Sequence, residues 1–306
     1  MPPNAPTLAA LPLAALLALP APLAAQVLDD TPRIAVVSAF EPEWQALQAE
    51  MGPAEEHVVN GVRFLLGDIE GRPVVLFLSG VSMVNAAMTT QLALDRFRVE
   101  GIVFSGIAGG VDPALSIGDV VVAAEWSQYL EAVFAREAEG AFGLPPWMEG
   151  SGVANYGMIY PQAVEVRREG AEGIERVLWF PVDPGYLETA RTVAADVALE
   201  TCGPDGTCLS DGPTLVVGGR GVSGQAFVDN ALFREWAHAT FDAQVLDMES
   251  AAVAHVAYAN GVPFIAFRSL SDLAGGGEGA NEMGTFMSIA ATNSALVVTA
   301  FLAALE

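Results

Sequence analysis

The sequence predicts an α/β protein, a three-layer α/β/α domain built around a central mixed β-sheet. Short, nearly continuous apolar runs such as IAVVSA at 34–39 and IVFS at 102–105 read as strands covered on both faces. Stretches with helical spacing alternate with these runs, as layered α/β domains require. Turn signals at Asn60-Gly61 and Glu70-Gly71 place hairpins, and hence antiparallel neighbours, early in the same sheet.

In chain order, the strand at 34–39 leads to a helix over 43–51, with Trp44, Leu47 and Met51 on one side. Strands at 57–59 and 62–66 flank the first turn, and 73–79 follows the second. A helix over about 83–97 precedes the strand at 102–105, the glycine cluster at 106–110 and a strand at 119–124. Residues 126–220 give a weaker pattern, with one helical stretch near 187–199 and a strand at 214–218. Strands at 243–246 and 262–267 and helices at 249–259 and 286–305 complete the domain.

The chain has 306 residues and a net charge of -24, and all 13 of its basic residues are Arg. Such a surface repels phosphate backbones and argues against nucleic acid as partner. Residues 7–25, TLAALPLAALLALPAPLAA, resemble a secretory signal with cleavage after Ala25, although no Lys or Arg precedes the apolar run. Its prolines make it a poor membrane-spanning helix. No later apolar run is read as both long enough and free of charge, so no membrane contact is expected after cleavage. The expected organisation is therefore a signal peptide at 1–25 and one domain over 26–306, exported from the cytoplasm. Cys202 and Cys208 flank a Gly/Pro/Asp loop that suits a short disulfide, which an oxidising compartment permits. No His lies near them to complete a zinc site, and neither a metal nor a cofactor is expected.

Polar residues at strand ends are the candidates for chemistry, because α/β sheets bind ligands there. Glu43 opens the first helix. GIAGG at 106–110 lets backbone amides approach a ligand. Asp247-Met248-Glu249 and RSLSD at 268–272 follow two further strands. Acids and one Arg gathered at a sheet edge suit a reaction with proton transfers and a cationic transition state. Each residue also has a plainer use. Glu43 suits a helix N-terminus, the glycine cluster a turn, and Asp272 a cap. Glu249 and Arg268 suit a surface ion pair worth under about 1 kcal/mol. Spacing alone leaves the function open.

Five motifs occur together: SGVSMVNAA at 79–87, GIAGG at 106–110, GDVV at 118–121, VLDMESAAVA at 245–254 and RSLSD at 268–272. In this order they resemble the nucleoside phosphorylase/nucleosidase superfamily, and within it the methylthioadenosine/S-adenosylhomocysteine nucleosidases. The resemblance implies a nucleoside phosphorylase-like fold from about 34 to 305, with an insertion at about 126–213, and a homodimer. It places Glu43 as the acid that activates the attacking water. Asp272 becomes the group that contacts the purine N7 and exocyclic amine and protonates the leaving base. Glu249 binds the ribose hydroxyls, Met248 packs under the sugar, and Arg268 orients Glu249. Phe227 and Val228 hold the base, Ala108 and Gly109 line the sugar and water side, and Ser271 joins the substrate-binding set.

The implied substrate is a purine nucleoside whose N-glycosidic bond is hydrolysed. Phosphorolysis needs cationic or hydroxyl groups around a trianion. The segment 104–109 offers no Arg, and Ile107 stands where phosphate-using relatives often carry a small hydroxyl residue. A purine nucleoside phosphorylase and a non-catalytic exported nucleoside-binding protein are the alternatives. The sequence departs from the family at Asp247, where many members have Glu, and at Met283, where an aromatic often closes over the 5′ group. The segment 273–281 is glycine-rich, and Trp147 and Trp179 suit either core packing or anchoring of an extra lid.

Overall fold

A computed structural model describes residues 27–203 and 206–305. The expected signal peptide at 1–25 lies outside the described residues. The first half contains β1 (Asp29–Ser38), α1 (Glu41–Ala49), β2 (Glu55–Val59), β3 (Val62–Ile69), β4 (Arg72–Leu78), α2 (Met83–Arg96), β5 (Phe97–Gly110), β6 (Val120–Val122) and β7 (Glu125–Gln128). Short strands β8 (Ala132–Phe134), β9 (Arg136–Ala138), β10 (Ala141–Gly143), β11 (Ile159–Pro161), β12 (Val164–Val166), β13 (Glu175–Val177) and β14 (Phe180–Pro181) follow. The chain ends with α3 (Pro184–Ala194), β15 (Leu215–Val217), β16 (Arg220–Ser223), α4 (Ala231–Phe241), β17 (Ala243–Asp247), α5 (Ser250–Asn260), β18 (Phe264–Asp272) and α6 (Met283–Ala304).

Twelve strands form one mixed sheet. β5 is parallel to β1 and to β18, and β4 is parallel to β1. The β2–β3 and β3–β4 hairpins are antiparallel, with Asn60-Gly61 and Glu70-Gly71 at their turns in the left-handed region. Strand alternation explains the three layers. Ala35, Val37, Ile102 and Phe104 face a core shared with α2 and α5. Their neighbours Ile34, Val36 and Val103 face a second core with Trp44 and Leu47 of α1, residues of α3, and Phe301 and Leu302 of α6. Central strands buried on both faces must be apolar at every position, which is the pattern the sequence showed.

The glycine cluster 106–110 is not a loop. β5 runs on to Gly110, pairing β18 through Gly109 and then β17 at Gly109 and Gly110. β18 likewise continues past Phe267 to Asp272. β16 and α4 were not anticipated. Of the segment 126–213, β7, β14 and α3 belong to the main layers. The pairs β8–β11, β9–β10 and β12–β13 stand outside the main sheet. Trp147 there is 79% exposed and takes no part in a core. Trp179 packs edge-on to Phe241 beneath the Arg220 guanidinium.

One expectation needs correction. α6 has 22 residues, is apolar enough to cross a membrane and carries no charged side chain. Its apolarity serves the core instead, since Ile289, Val297, Val298, Phe301 and Leu302 are buried. Its two fully buried polar residues are both bonded. Ser294 Oγ accepts the Gly106 N–H (3.0 Å) and donates to Phe267 O (3.1 Å). Asn293 exchanges two hydrogen bonds with the Glu200 backbone.

Those bonds moor the segment before Cys202, and the Cys202–Cys208 disulfide closes the loop beyond it. A loop this short restricts the unfolded chain modestly, by about 2 kcal/mol. Replacing both cysteines with Ser is expected to lower unfolding free energy by no more than about that amount while leaving ligand binding intact. Denaturant titration beside a binding assay checks both outcomes.

Candidate active site

The end of β1 turns into α1 at Phe40, whose backbone is extended, with Pro42 in the first helical turn. Glu43 sits at the third helical position and reaches back, so its Oε2 accepts the N–H groups of Ala39 (2.7 Å) and Phe40 (3.4 Å). Oε1 accepts the Ile107 N–H from β5 at 2.8 Å. The carboxylate therefore caps its helix and is fixed across the sheet at once. Gly106 is needed beneath it. A Cβ there would lie 2.6 Å from Glu43 Oε1 and collide with the Arg268 guanidinium.

Arg268, on β18, has no exposed surface. Its Nε is 2.8 Å from Asp247 Oδ2, but the N–H is directed at Ser250 Oγ (2.9 Å), so the Asp247 contact is an ion pair. Nη2 lies 3.5 Å from Glu249 Oε2, Nη1 donates to Ile107 O (3.3 Å), and the guanidinium covers the Phe104 ring at 4.0 Å. Asp247 Oδ1 accepts the Glu249 and Ser250 N–H groups and the Ser223 hydroxyl, holding the β17–α5 junction. Glu249 Oε1 accepts the N–H of Ser82 at 2.7 Å. Ser82 N-caps α2 with a positive φ, which makes the SGVSMVNAA segment part of the site.

Asp272 ends β18. Its Oδ1 accepts the Ala274 N–H (2.8 Å) and the Asn281 amide (3.4 Å), and its Oδ2 accepts the Ser271 hydroxyl (2.9 Å). Glu43, Ala108, Gly109, Phe227, Val228, Met248, Glu249, Ser271 and Asp272 all line one cleft of about 200 Å³. Arg268 lies beneath that cleft and holds its walls. It is no surface partner of Glu249, as the plainer sequence reading allowed. Ser82, Asn281 and Phe40 were not singled out from sequence. Ser82 lies inside a quoted motif, whereas Asn281 reaches Asp272 only because the glycine-rich segment turns back.

Across residues 33–303 the chain matches the family model of the phosphorylase superfamily. The chain belongs to the phosphorylase superfamily. It is 30% identical over 266 residues to a 5′-methylthioadenosine/S-adenosylhomocysteine nucleosidase of Listeria innocua, covering 87% of this chain and 96% of that one. A similar fold occurs in the S. pneumoniae protein of that name, solved with a transition-state inhibitor, at a TM-score of 0.67 and 24% identity over 90% of this chain and 100% of that chain. Helicobacter pylori futalosine hydrolase matches at 0.65 and 22%, over 90% and 98%. In this phosphorylase-superfamily chain the described residues hold no group of three or more His, Cys, Asp or Glu arranged for a metal ion.

Burial governs the protonation of the superfamily site. It raises the Glu43 carboxyl above its ordinary range against the opposing pull of Arg268 and three backbone N–H groups. It raises Asp272 in the same way, against the Ala274, Ser271 and Asn281 donors. Glu249 is pushed up to about 7 by burial, with Asp247 adding to the rise and Arg268 opposing it. A carboxyl whose folded pKa is raised stabilises the fold at low pH and loses that contribution as pH climbs through the folded value. From about pH 4.5 to 7, Glu249 should therefore lose stability on the order of 3 kcal/mol. Glu249→Gln is expected to flatten that part of the pH–stability curve, measured by denaturant titration from pH 4 to 8. An unchanged slope would show that Glu249 is not buried as a neutral acid.

Proposed function

We infer that this protein hydrolyses the N-glycosidic bond of a purine nucleoside of the 5′-thioether class. The observation that carries the reading is the opening of Glu43, Glu249 and Asp272 onto one cleft whose lining has no cation among the described residues. The names of its relatives, nucleosidases of methylthioadenosine and S-adenosylhomocysteine, point the same way.

Departure of the base leaves positive charge on the ribose. Glu249, anchored by Ser82 N–H, binds the ribose hydroxyls and stabilises that charge, with Met248 beneath the sugar. Asp272, protonated more readily than an ordinary carboxyl, gives its proton to N7 so that the base leaves neutral. Its Oδ1 is occupied by two N–H donors, which leaves Oδ2 to carry the proton. Ser271 then donates to the new carboxylate. Water adds to the anomeric carbon, its oxygen forming the new C–O bond while Glu43 takes its proton. Phe227 and Val228 cover the base, and Ala108 and Gly109 form the sugar and water wall. Phosphate is disfavoured as the attacking group because the Arg268 guanidinium is already paired beneath the cleft.

Export is part of the same proposal, supported by the signal-like segment 7–25 and the Cys202–Cys208 disulfide. A homodimer is proposed as well. Val81, Val84 and Met88, exposed at the start of α2, provide apolar surface for it.

Release of base from methylthioadenosine, adenosine and inosine, with and without phosphate, tests the reaction. Turnover should be independent of phosphate. Glu43→Ala and Asp272→Ala should each lower kcat by roughly 10²–10⁴-fold, with Glu43→Ala retaining much of the binding. Wild-type turnover in both variants, or an absolute need for phosphate, would refute the reading. Gly106→Ala should lower kcat by about 10²-fold by displacing Glu43 and Arg268, with the circular dichroism spectrum retained.

A further inference from the structure

The glycine-rich segment after Asp272 brings one side chain back to it. Gly275 turns with a positive φ against the backbone of Asp229 and Asn230, where a Cβ would collide. Ala274 O accepts the Asn230 N–H there (3.1 Å), and Gly276 passes over the Arg234 side chain. The chain then returns to α6 through Asn281, which does not itself line the cleft.

Every polar atom of the Asn281 amide has a fixed partner. Its Oδ1 accepts the Met283 N–H (3.0 Å) where α6 begins. Its Nδ2 carries two hydrogens and meets two acceptors, Asp229 Oδ1 (3.2 Å) and Asp272 Oδ1 (3.4 Å). A flipped amide would set its oxygen against two carboxyl groups and its nitrogen against an N–H, so one orientation is imposed before any nucleoside binds. Asp229 follows Phe227 and Val228, so the same amide joins the acid to the segment assigned to the base.

Bonds from a charged donor or to a charged acceptor run at about 2.7–2.9 Å. The Asn281 contact with Asp272 is long by that measure and suits a carboxyl that still holds its proton, as burial favours. Once the proton leaves for N7, the carboxylate is charged and the Asn281 donor strengthens. Only an interaction that strengthens along the reaction lowers its barrier. The charged groups packed nearby give no such help. Glu282 opposes ionisation from the residue before α6, and Glu43, Asp247 and Glu249 share the cleft. Arg234 of α4 is turned to the carbonyls of Gly110 and Asp112.

We propose that Asn281 is a positioning residue for base protonation, holding Asp272 Oδ1 and stabilising the carboxylate that forms as Oδ2 delivers its proton. The inference rests on the reading of Asp272 as the acid and adds a residue to that step.

Two variants separate this role from shaping the turn into α6. Asn281→Ala removes both the donor and the acceptor for the Met283 N–H. Asn281→Asp removes the donor but keeps that acceptor, as Asx turns do. Methylthioadenosine hydrolysis by the full chain is followed as a function of pH, beside denaturant titration. Asn281→Ala should lower the kcat plateau on the order of tenfold, a fraction of the roughly 10²–10⁴-fold that a general acid supplies, with a smaller change in KM. Losing a donor to the carboxylate raises the carboxyl, so the alkaline limb of kcat, where Asp272 gives up its proton, should move to higher pH. Asn281→Asp should restore neither property while matching the wild type in stability, and it carries the test alone if Asn281→Ala does not fold. A wild-type plateau and limb in either variant overturns the inference and leaves the nucleosidase reading intact. Absence of phosphate-independent base release by the wild-type protein overturns both.

Discussion

A single buried guanidinium sets the geometry on which the cleft depends. Arg268 reaches Asp247, Glu249, Ser250 and the Ile107 carbonyl from one position on β18, lying flat on Phe104. Its ion pairs join the β17–α5 junction to β18, and its carbonyl contact adds β5. Removing one member of such a buried pair typically costs about 3–5 kcal/mol, because the partner is left charged and dry. One cation among Glu43, Asp247 and Glu249 also leaves negative charge in excess. That excess is what a developing ribose cation would neutralise, while burial raises both Glu43 and Glu249, with Asp247 adding to the rise at Glu249.

The structure brings most of the site residues read from the sequence to one cleft, and those that were ambiguous there each make two kinds of contact. Glu43 fitted both a helix N-terminus and a catalytic acid. One oxygen caps the helix while the other crosses to Ile107. Asp272 fitted a cap and a proton donor, and its Oδ1 accepts the Ala274 N–H while its Oδ2 accepts the Ser271 hydroxyl. Ser82 contributes through its backbone N–H, so its side chain carried no sign of the contact. Asn281 becomes a neighbour of Asp272 through a chain reversal that local pattern does not encode.

The fold was legible wherever burial on both faces forced continuous apolarity, as in β1, the middle of β5 and the start of β18. It was less legible where β5 and β18 pass into the cleft. There Gly106–Gly110 and Arg268–Asp272 replace the apolar code with small and polar residues while keeping the ladder. The sequence therefore suggested loops where the strands continue. α4 was missed although Asn230 caps it by accepting the Phe233 N–H. α6 shows the opposite ambiguity. Its composition suits a bilayer, but its Asn293 and Ser294 are satisfied by the protein.

In the proposed binding mode, the excess of carboxylates over cations at the cleft makes it a receptor for positive charge on the ribose. The most direct measurement is the dissociation constant, at pH 7, of a purine nucleoside analogue whose sugar ring carries a protonated nitrogen, against its neutral carbocyclic counterpart. Binding of the cation at least about 100-fold tighter, with most of the difference lost in Glu249→Gln, is the predicted result. Equal affinity for the two rings would contradict it.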